Sequence, residues 1–431
     1  LTPINSFWEE FQTDFVIPLI HGKFGEDGFI QSILEKKQIP YFFSKSKDIS
    51  KMFLKNQFSE TLKNKGFKSW DQIVILKNRL EENIDKIKSL HQKYKKLVIK
   101  PTNSGSSLNV FISDNFEKSI TILRNFANRN MIIEEKHEGK EFSIAVCKKS
   151  MTPVEINYET DIFDHRGKYF PSDKVSIKIP PSFSIETTER IKKDAENIFK
   201  IFEAEDVIRI DGWVLNSGEV IYTECNPISS TEFNGILFQS LQDDSMKFMR
   251  NLINNKLEKN NLPKMIFKKE EKKIIPVIFG GNSSEIEISL LSACSVCIKI
   301  NNSDKYSPEM YYLKGNVSDK TSIVYKIPNF FVFKRTLKDL DYVIENIDLY
   351  NKITNQDIKI EKMSFDEFIK NKDFIFITLH GGEGEDGTIQ KKLEEANVKF
   401  NGSNSEISKL CMDKYSLINF LEQSRESRFS I

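Results

Sequence analysis

The residues best suited to do chemistry lie close together in IRIDGWVL-NSGE-VIYTECNP, residues 208–227. Two β-prone runs joined by a Ser-Gly turn read as a hairpin. Arg209 and Asp211 are two apart on one strand and share a face, as Glu224 and Asn226 do on the other. With Ser217-Gly218 as a two-residue turn, Asn216 pairs with Glu219, which sets Asp211 opposite Glu224 and Arg209 opposite Asn226. Opposed carboxylates repel. A hard cation between them, with the Asn oxygen as a further ligand, removes the repulsion. Mg²⁺ (or Mn²⁺), its shell completed by a nucleotide's phosphates, suits such a set. A polar surface hairpin in which Arg209 neutralises the acids is the other reading of the same residues.

A second cluster bears on that choice. Lys100 ends the apolar run LVIKP, and a small-residue loop, Thr102 to Ser107 (TNSGSS), follows it. Amides and hydroxyls of such a loop can approach phosphate closely. Together with Lys100, Arg209 and the acid pair, this points to phosphoryl transfer. Glu134, Glu135 and Glu141 lie around the turn in EEKHEGKE, where carboxylates can accept hydrogen bonds from an adenine amino group and ribose hydroxyls. A solvated turn would carry the same residues.

The elements that must hold these groups alternate between strand and helix patterns. From residue 97 the chain reads strand, loop, strand, then a helix near 115–127, two strands (MIIEE and EFSIAVC), a helix over 187–203, the hairpin and a helix from about 231. A Lys/Asn-rich linker is expected over 256–273, and KKIIPVIFGGNSSEIEIS then opens a second α/β domain. The octapeptide HGKFGEDG (21–28) recurs as HGGEGEDG (380–387). The likeness runs without gaps from His21 through Ser44, and at the same offset Lys55 falls on Lys414 and Asp14-Phe15 on Asp373-Phe374. Repetition on that scale implies two copies of one large unit.

Composition narrows the classes. The chain has 431 residues, 63 Lys+Arg against 62 Asp+Glu, and a formal charge of +1, so nothing calls for nucleic acid or an anionic membrane as partner. Five cysteines form no disulfide framework in a chain this long, which favours a reducing, cytoplasmic setting. Cys294 and Cys297 sit in an apolar helical pattern and read as packing residues. No apolar run approaches the ~20 residues of a membrane span. The first residue is Leu, which suggests that the beginning is missing.

HGKFGEDGFIQ, LVIKPTNSGSS, IIEEKHEGKEF, FDHRGKYF, IRIDGWVL and YTECNP, in that order over 15–240, resemble the ATP-grasp fold of the D-alanine–D-alanine ligase family. Residues 273–415 resemble the beginning of the same family through VIFGGNSSEIEISLLSA, FITLHGGEGEDGTIQ and MDKYS. The resemblance implies an α/β chain with a partial N-terminal domain (1–70) and an ATP-grasp domain (71–255). A Rossmann-like N-terminal domain of a second unit (274–415) and the start of its ATP-grasp part (416–431) would follow the linker. The whole looks like a window cut from a tandem ligase.

By the same resemblance, Lys55 and Lys100 bind ATP phosphates, Ser106 closes over them, and Glu134, Glu135 and Glu141 read adenine and ribose. Lys168 approaches the γ-phosphate, Tyr169 belongs to a lid, His21 lies near the first amino acid, and Arg209 stabilises the acyl-phosphate and tetrahedral states. Asp211, Glu224 and Asn226 hold Mg²⁺. The implied reaction joins two D-alanines through a D-alanyl phosphate for peptidoglycan synthesis. A ligase with another amine acceptor, or a degenerate copy acting as a structural partner, is the alternative. A homodimer, or pairing with the twin unit, is the expected association. Some positions depart from the family: Ser230 and Gly235 replace its usual Gly and Ser, Leu54 replaces the Asp before Lys55, and Asn109 replaces a Gly. The acid of the GGxSSE motif occurs only in the second unit, as Glu285, and pooling both units would supply it.

Overall fold

A computed structural model describes residues 13–103, 109–158, 175–229, 245–266, 271–334 and 336–426. The chain divides into two compact units, Leu1–Ile266 with Asp348–Asn355, and Phe267–Ile347 with Gln356–Ile431.

The first unit contains two antiparallel sheets. One has the order β1-β4-β2-β3, from β1 (Gln72–Ile75), β2 (Leu97–Pro101), β3 (Phe111–Ser113) and β4 (Met131–Glu135). Leu97 and Ile99 of β2 pack with Ile133, Ile87 and Leu123, the last two from the helices Ile84–Lys93 and Phe116–Asn125. Strand alternation therefore turns Val98 and Lys100 to the opposite face.

The other sheet runs β7-β6-β5-β8-β9, from β5 (Gly139–Val146), β6 (Val154–Tyr158), β7 (Val175–Lys178), β8 (Ile208–Leu215) and β9 (Val220–Asn226). Its core face receives Ile191, Ala195 and Ile198 of the helix Ile185–Ile201, which share one helical stripe. That helix begins two residues before the expected 187, because the Ser184 hydroxyl accepts the amide of Thr187 (3.1 Å) and caps it. Two further helices, Ser46–Phe53 and Lys55–Asn64, add Ile49, Met52, Phe58 and Leu62 to the same core. Ile208 and Ile210 belong to this core, so Arg209 and Asp211 stand on the other face of β8.

The stretch expected to be a linker begins inside a helix, Ser245–Lys259. Lys256 is buried there, paired with Glu205 (2.8 Å) and Asp206 (3.0 Å). Lysine-rich composition was a poor guide to exposure at this position, since two carboxylates satisfy the ammonium. The helix expected from about 231 begins outside the described residues.

The second unit is one six-stranded sheet, β13-β12-β11-β10-β14-β15. Its strands are β10 (Lys273–Gly281), β11 (Tyr306–Lys314), β12 (Ile323–Ile327), β13 (Glu361–Met363), β14 (Phe374–Ile377) and β15 (Lys399–Phe400). β10 pairs in parallel with β11 and β14, as does β14 with β15, which makes this an α/β sheet with an antiparallel edge. Cys294 and Cys297 are buried thiols, not joined in a disulfide, on the helix Ile286–Asn301, where the Cys294 thiol donates to the Val332 carbonyl.

The repeat is visible in three dimensions. Each octapeptide ends in a glycine of left-handed conformation, Gly28 (φ 86°) and Gly387 (φ 91°), that opens an eight-residue helix, Phe29–Lys36 or Thr388–Glu395. The Gln31 side chain donates to the Gly25 carbonyl at 2.8 Å, and Gln390 donates to that of Gly384 at 2.9 Å. Val16 bridges Tyr41 in parallel, as Ile375 does Phe400. Equivalent residues thus make equivalent bonds, so the two copies share a local fold as well as a pattern.

Candidate active site

The hairpin sets Asp211 opposite Glu224 and Arg209 opposite Asn226, as expected, but by a different route. The turn has three residues, not two: Leu215 and Glu219 close it, and Gly218 adopts φ 82°. A bulge at Thr223, between Tyr222 and Glu224, then restores the pairing. The longer turn and the bulge cancel at the site.

Asp211 is the hub. Arg209 grips its carboxylate in a fork, Nε to Oδ1 at 3.0 Å and Nη2 to Oδ2 at 2.9 Å. The Asn226 amide donates to Oδ2 (3.0 Å), and the Ser143 hydroxyl of β5 donates to Oδ1. Burial works against the charge on Arg209, yet Asp211, Glu224 and Glu26 hold its guanidinium above the ordinary value. Arg209 does neutralise an acid, but in a buried cluster rather than on a polar surface hairpin.

Two lysines complete the cluster. Lys55, at the first turn of its helix, pairs with Glu224 at 2.8 Å, and its amide donates to the Thr102 carbonyl (3.1 Å). Lys100 pairs with Glu134 at 2.5 Å, and the Trp70 indole donates to the same carboxylate (2.9 Å). Burial opposes ionisation of both partners. Attraction to Glu134, Glu224 and Glu141 nevertheless keeps Lys100 above its usual range, and Lys100 with His137 keeps Glu134 below its own. Glu224 and Glu141 belong to the five-stranded sheet, so Lys100 feels the fields of both sheets.

Glu141 accepts from the Tyr158 hydroxyl (2.6 Å), while Glu135 is half-buried on β4. His21 is half-exposed, its Nδ1 3.6 Å from Glu26. Ser106, Lys168, Tyr169, Ser230 and Gly235 lie outside the described residues. Glu285 belongs to the second unit, where a Cβ on Gly381 would stand 3.2 Å from its carboxylate. There His380 repeats the His21 arrangement, 3.6 Å from Glu385, and its Nε2 meets the Ser292 hydroxyl at 2.8 Å.

Four residues escaped the sequence reading. Glu26 is buried, accepts the Gly22 amide (2.6 Å) and contributes to the field at Arg209; its place in the repeated octapeptide was a usable signal. Ser143, Trp70 and His137 had none. His137 is buried between the rings of Trp70 and Trp213, at centroid distances of 5.5 and 6.2 Å. Burial pushes its imidazole down to about 4.

Three cations and four carboxylates thus converge from two sheets and one helix start, a set suited to binding and neutralising phosphates. Among the described residues no three His, Cys, Asp or Glu are grouped to hold a metal, and no helix is long and apolar enough to cross a membrane. Asp211, Glu224 and Asn226 offer two carboxylates and one amide oxygen, a donor set that fits a hard divalent cation sharing its shell with a phosphate ligand.

Two antiparallel sheets around a Lys–Arg–carboxylate cluster, followed in the chain by an α/β unit, define an ATP-grasp protein. The family description "D-ala D-ala ligase C-terminus" matches residues 61–258, and "D-ala D-ala ligase N-terminus" matches residues 274–403, so the two halves occur here in inverted order. The D-alanine–D-alanine ligase of Pelagibacter ubique is 34% identical over 213 residues, 47% of this chain and 66% of the relative. That of Oceanobacillus iheyensis is 26% identical over 262 residues, 57% and 69% of the two chains. The match therefore spans about two thirds of the length of these relatives. Among solved structures, D-alanine–D-alanine ligase from Bacillus anthracis complexed with ATP aligns with a TM-score of 0.51 at 23% identity, covering 60% of this chain and 84% of that one. VanG D-Ala:D-Ser ligase from Enterococcus faecalis gives 0.52 at 22%, covering 57% and 74%. These likenesses support the fold. The chain belongs to the D-alanine–D-alanine ligase family.

Proposed function

We propose that the chain is a cytoplasmic ATP-dependent carboxylate–amine ligase that joins two D-alanines through a D-alanyl phosphate, for peptidoglycan synthesis. The observation that carries this reading is the buried cluster in which Lys55, Lys100 and Arg209 are each neutralised by a carboxylate. Lys55 and Lys100 supply compact charges to the phosphates, while the planar fork of Arg209 matches the oxygens of an acyl phosphate. Glu141 of β5, together with Glu134 and Glu135 at the end of β4 in the other sheet, would accept hydrogen bonds from the nucleoside. His21, oriented by Glu26, stands toward the first amino acid. Mg²⁺, held by Asp211, Glu224 and Asn226, would add positive charge at the phosphates. The protein's contribution is alignment and charge neutralisation more than proton transfer.

The test is phosphate release by the 431-residue chain given MgATP, with and without D-alanine. D-alanine-dependent release with formation of the dipeptide is expected, and Arg209→Lys should slow it by about 10²–10³-fold. If ATP binds but no amino acid triggers release, the ligase reading fails and a degenerate copy is left.

A further inference from the structure

A cleft of about 410 Å³ opens in the first unit beside the edge strand β9, on the face of the sheet away from Arg209 and Asp211. Volumes of this order hold small organic ligands. Residues 65–68, the helix Ile185–Ile201 and the start of β9 form its walls. Sequence spacing explains the helix's share. Ile191, Ala195 and Ile198 are its buried stripe, and Arg190, Asp194 and Asn197, four and three apart, form the flank beside it. The floor is apolar, made by Phe67, Val220 and the ring of Tyr222, against which Phe67 packs edge-on at 5.8 Å.

The walls carry charges of both signs, and these are not all matched. Lys68 and Glu219 neutralise each other at 2.9 Å. Among the described residues Arg190 donates only to the Gly218 carbonyl (3.2 Å), and the Lys65 ammonium has no ion pair. Asp194 accepts the Tyr222 hydroxyl through Oδ2 (2.9 Å), while its Oδ1 accepts from no described group. Because Tyr222 is buried, that bond fixes the Asp194 carboxylate at the cleft wall. Two cations and one anchored carboxylate thus stand around an apolar floor with no counter-charge bonded to them.

We propose that this cleft binds a small zwitterion with an apolar body, an amino acid or a dipeptide. The ligand's carboxylate lies toward Arg190 and Lys65, its ammonium on Oδ1 of Asp194, and its apolar part on Phe67 and Val220. A simple anion would be repelled by Asp194, and a simple cation by Arg190 and Lys65. A ligand carrying both charges satisfies all three groups and covers the floor. The site shares no residue with the Lys–Arg–carboxylate cluster, so it stands whether or not the ligase reading does.

Isothermal titration calorimetry of the full chain without nucleotide tests this, with L-leucine and glycyl-L-leucine as probes. A Kd of about 0.1–10 mM is expected for the better of the two. Whichever binds more tightly tells a free amino acid from a dipeptide, and either supports the proposal. N-acetyl-L-leucine and L-leucinamide each lack one charge and should bind at least ~5-fold more weakly than L-leucine. Asp194→Asn keeps an acceptor for Tyr222 and should abolish the discrimination against N-acetyl-L-leucine. Arg190→Gln should weaken L-leucine about 5-fold and abolish the discrimination against L-leucinamide. A merely structural role for either residue would weaken all the probes alike. Unchanged far-UV circular dichroism confirms that the variants fold. No binding of either probe up to about 20 mM overturns the proposal. Binding indifferent to both variants overturns it too, since the ligand then sits elsewhere. So does inorganic phosphate that displaces L-leucine with equal affinity, which would make the cleft an anion site.

Discussion

Replacing Lys100 with Met leaves Glu134 buried without its counterion. The two groups stand 2.5 Å apart, with side chains 12% and 3% exposed, so solvent cannot take over the role of the ammonium. Met keeps most of the apolar stem, so little of the loss is a cavity. The Trp70 indole, at 2.9 Å, remains as a donor to the stranded carboxylate. Breaking a buried pair costs about 3–5 kcal/mol, and one surviving hydrogen bond favours the lower end, about 3 kcal/mol at neutral pH. The pH dependence identifies the cause. In the parent chain Glu134 titrates below its ordinary 4.5, so its contribution is present above that pH and is lost as pH falls. Without Lys100, burial alone should raise its pKa above 4.5, and the variant should recover as pH falls and the carboxyl takes up a proton. The deficit should therefore shrink to about 1 kcal/mol near pH 4.5. Urea unfolding followed by tryptophan fluorescence measures it, because no tryptophan lies beyond residue 213 and the signal reports the first unit alone. Equal deficits at pH 7.5 and 4.5 would refute the reasoning. Adding Glu134→Gln should recover most of the loss, since it removes the unpaired charge.

Two other outcomes test the architecture. His137 titrates at about 4 against an ordinary 6.5, so the unfolded chain binds the extra proton first. Stability is then full above pH 6.5 and falls by roughly 3 kcal/mol toward pH 4; His137→Leu should flatten that slope, and an unchanged slope would place its cause elsewhere. A Cβ on Gly28 would sit 2.4 Å from the Ser46 carbonyl oxygen, and one on Gly387 would sit 2.3 Å from that of Ser405, both at positive φ. Alanine at either site should cost about 2–4 kcal/mol. Gly28→Ala should move the fluorescence transition, whereas Gly387→Ala should shift only the circular dichroism of the second unit; the reverse would contradict the division into units.

Local rules exposed a large part of this protein. The alternation within LVIKP and IRIDG put Lys100 and Arg209 on the face away from the helices, because strand geometry repeats every two residues whatever the surroundings. The repeated octapeptide marked two copies of one local fold, because Gly28 and Gly387 open their helices at positive φ, and a Cβ on the preceding Gly25 or Gly384 would run into Ile20 or Leu379. Family motifs carried the rest of the candidate site. Tertiary structure decided the partners. Lys55 meets Glu224 across 169 positions, and Trp70 reaches Glu134 across 64. Neither pairing has a local signature, since side chains so far apart meet only when helix and sheets dock. The bulge at Thr223 and the burial of Lys256 were likewise set by neighbours rather than by their own residue types. The sequence by itself determined which residues could serve a phosphate site and on which faces they lie. Only packing decided which charges neutralise one another there, because burial and attraction depend on distances that residue order does not encode.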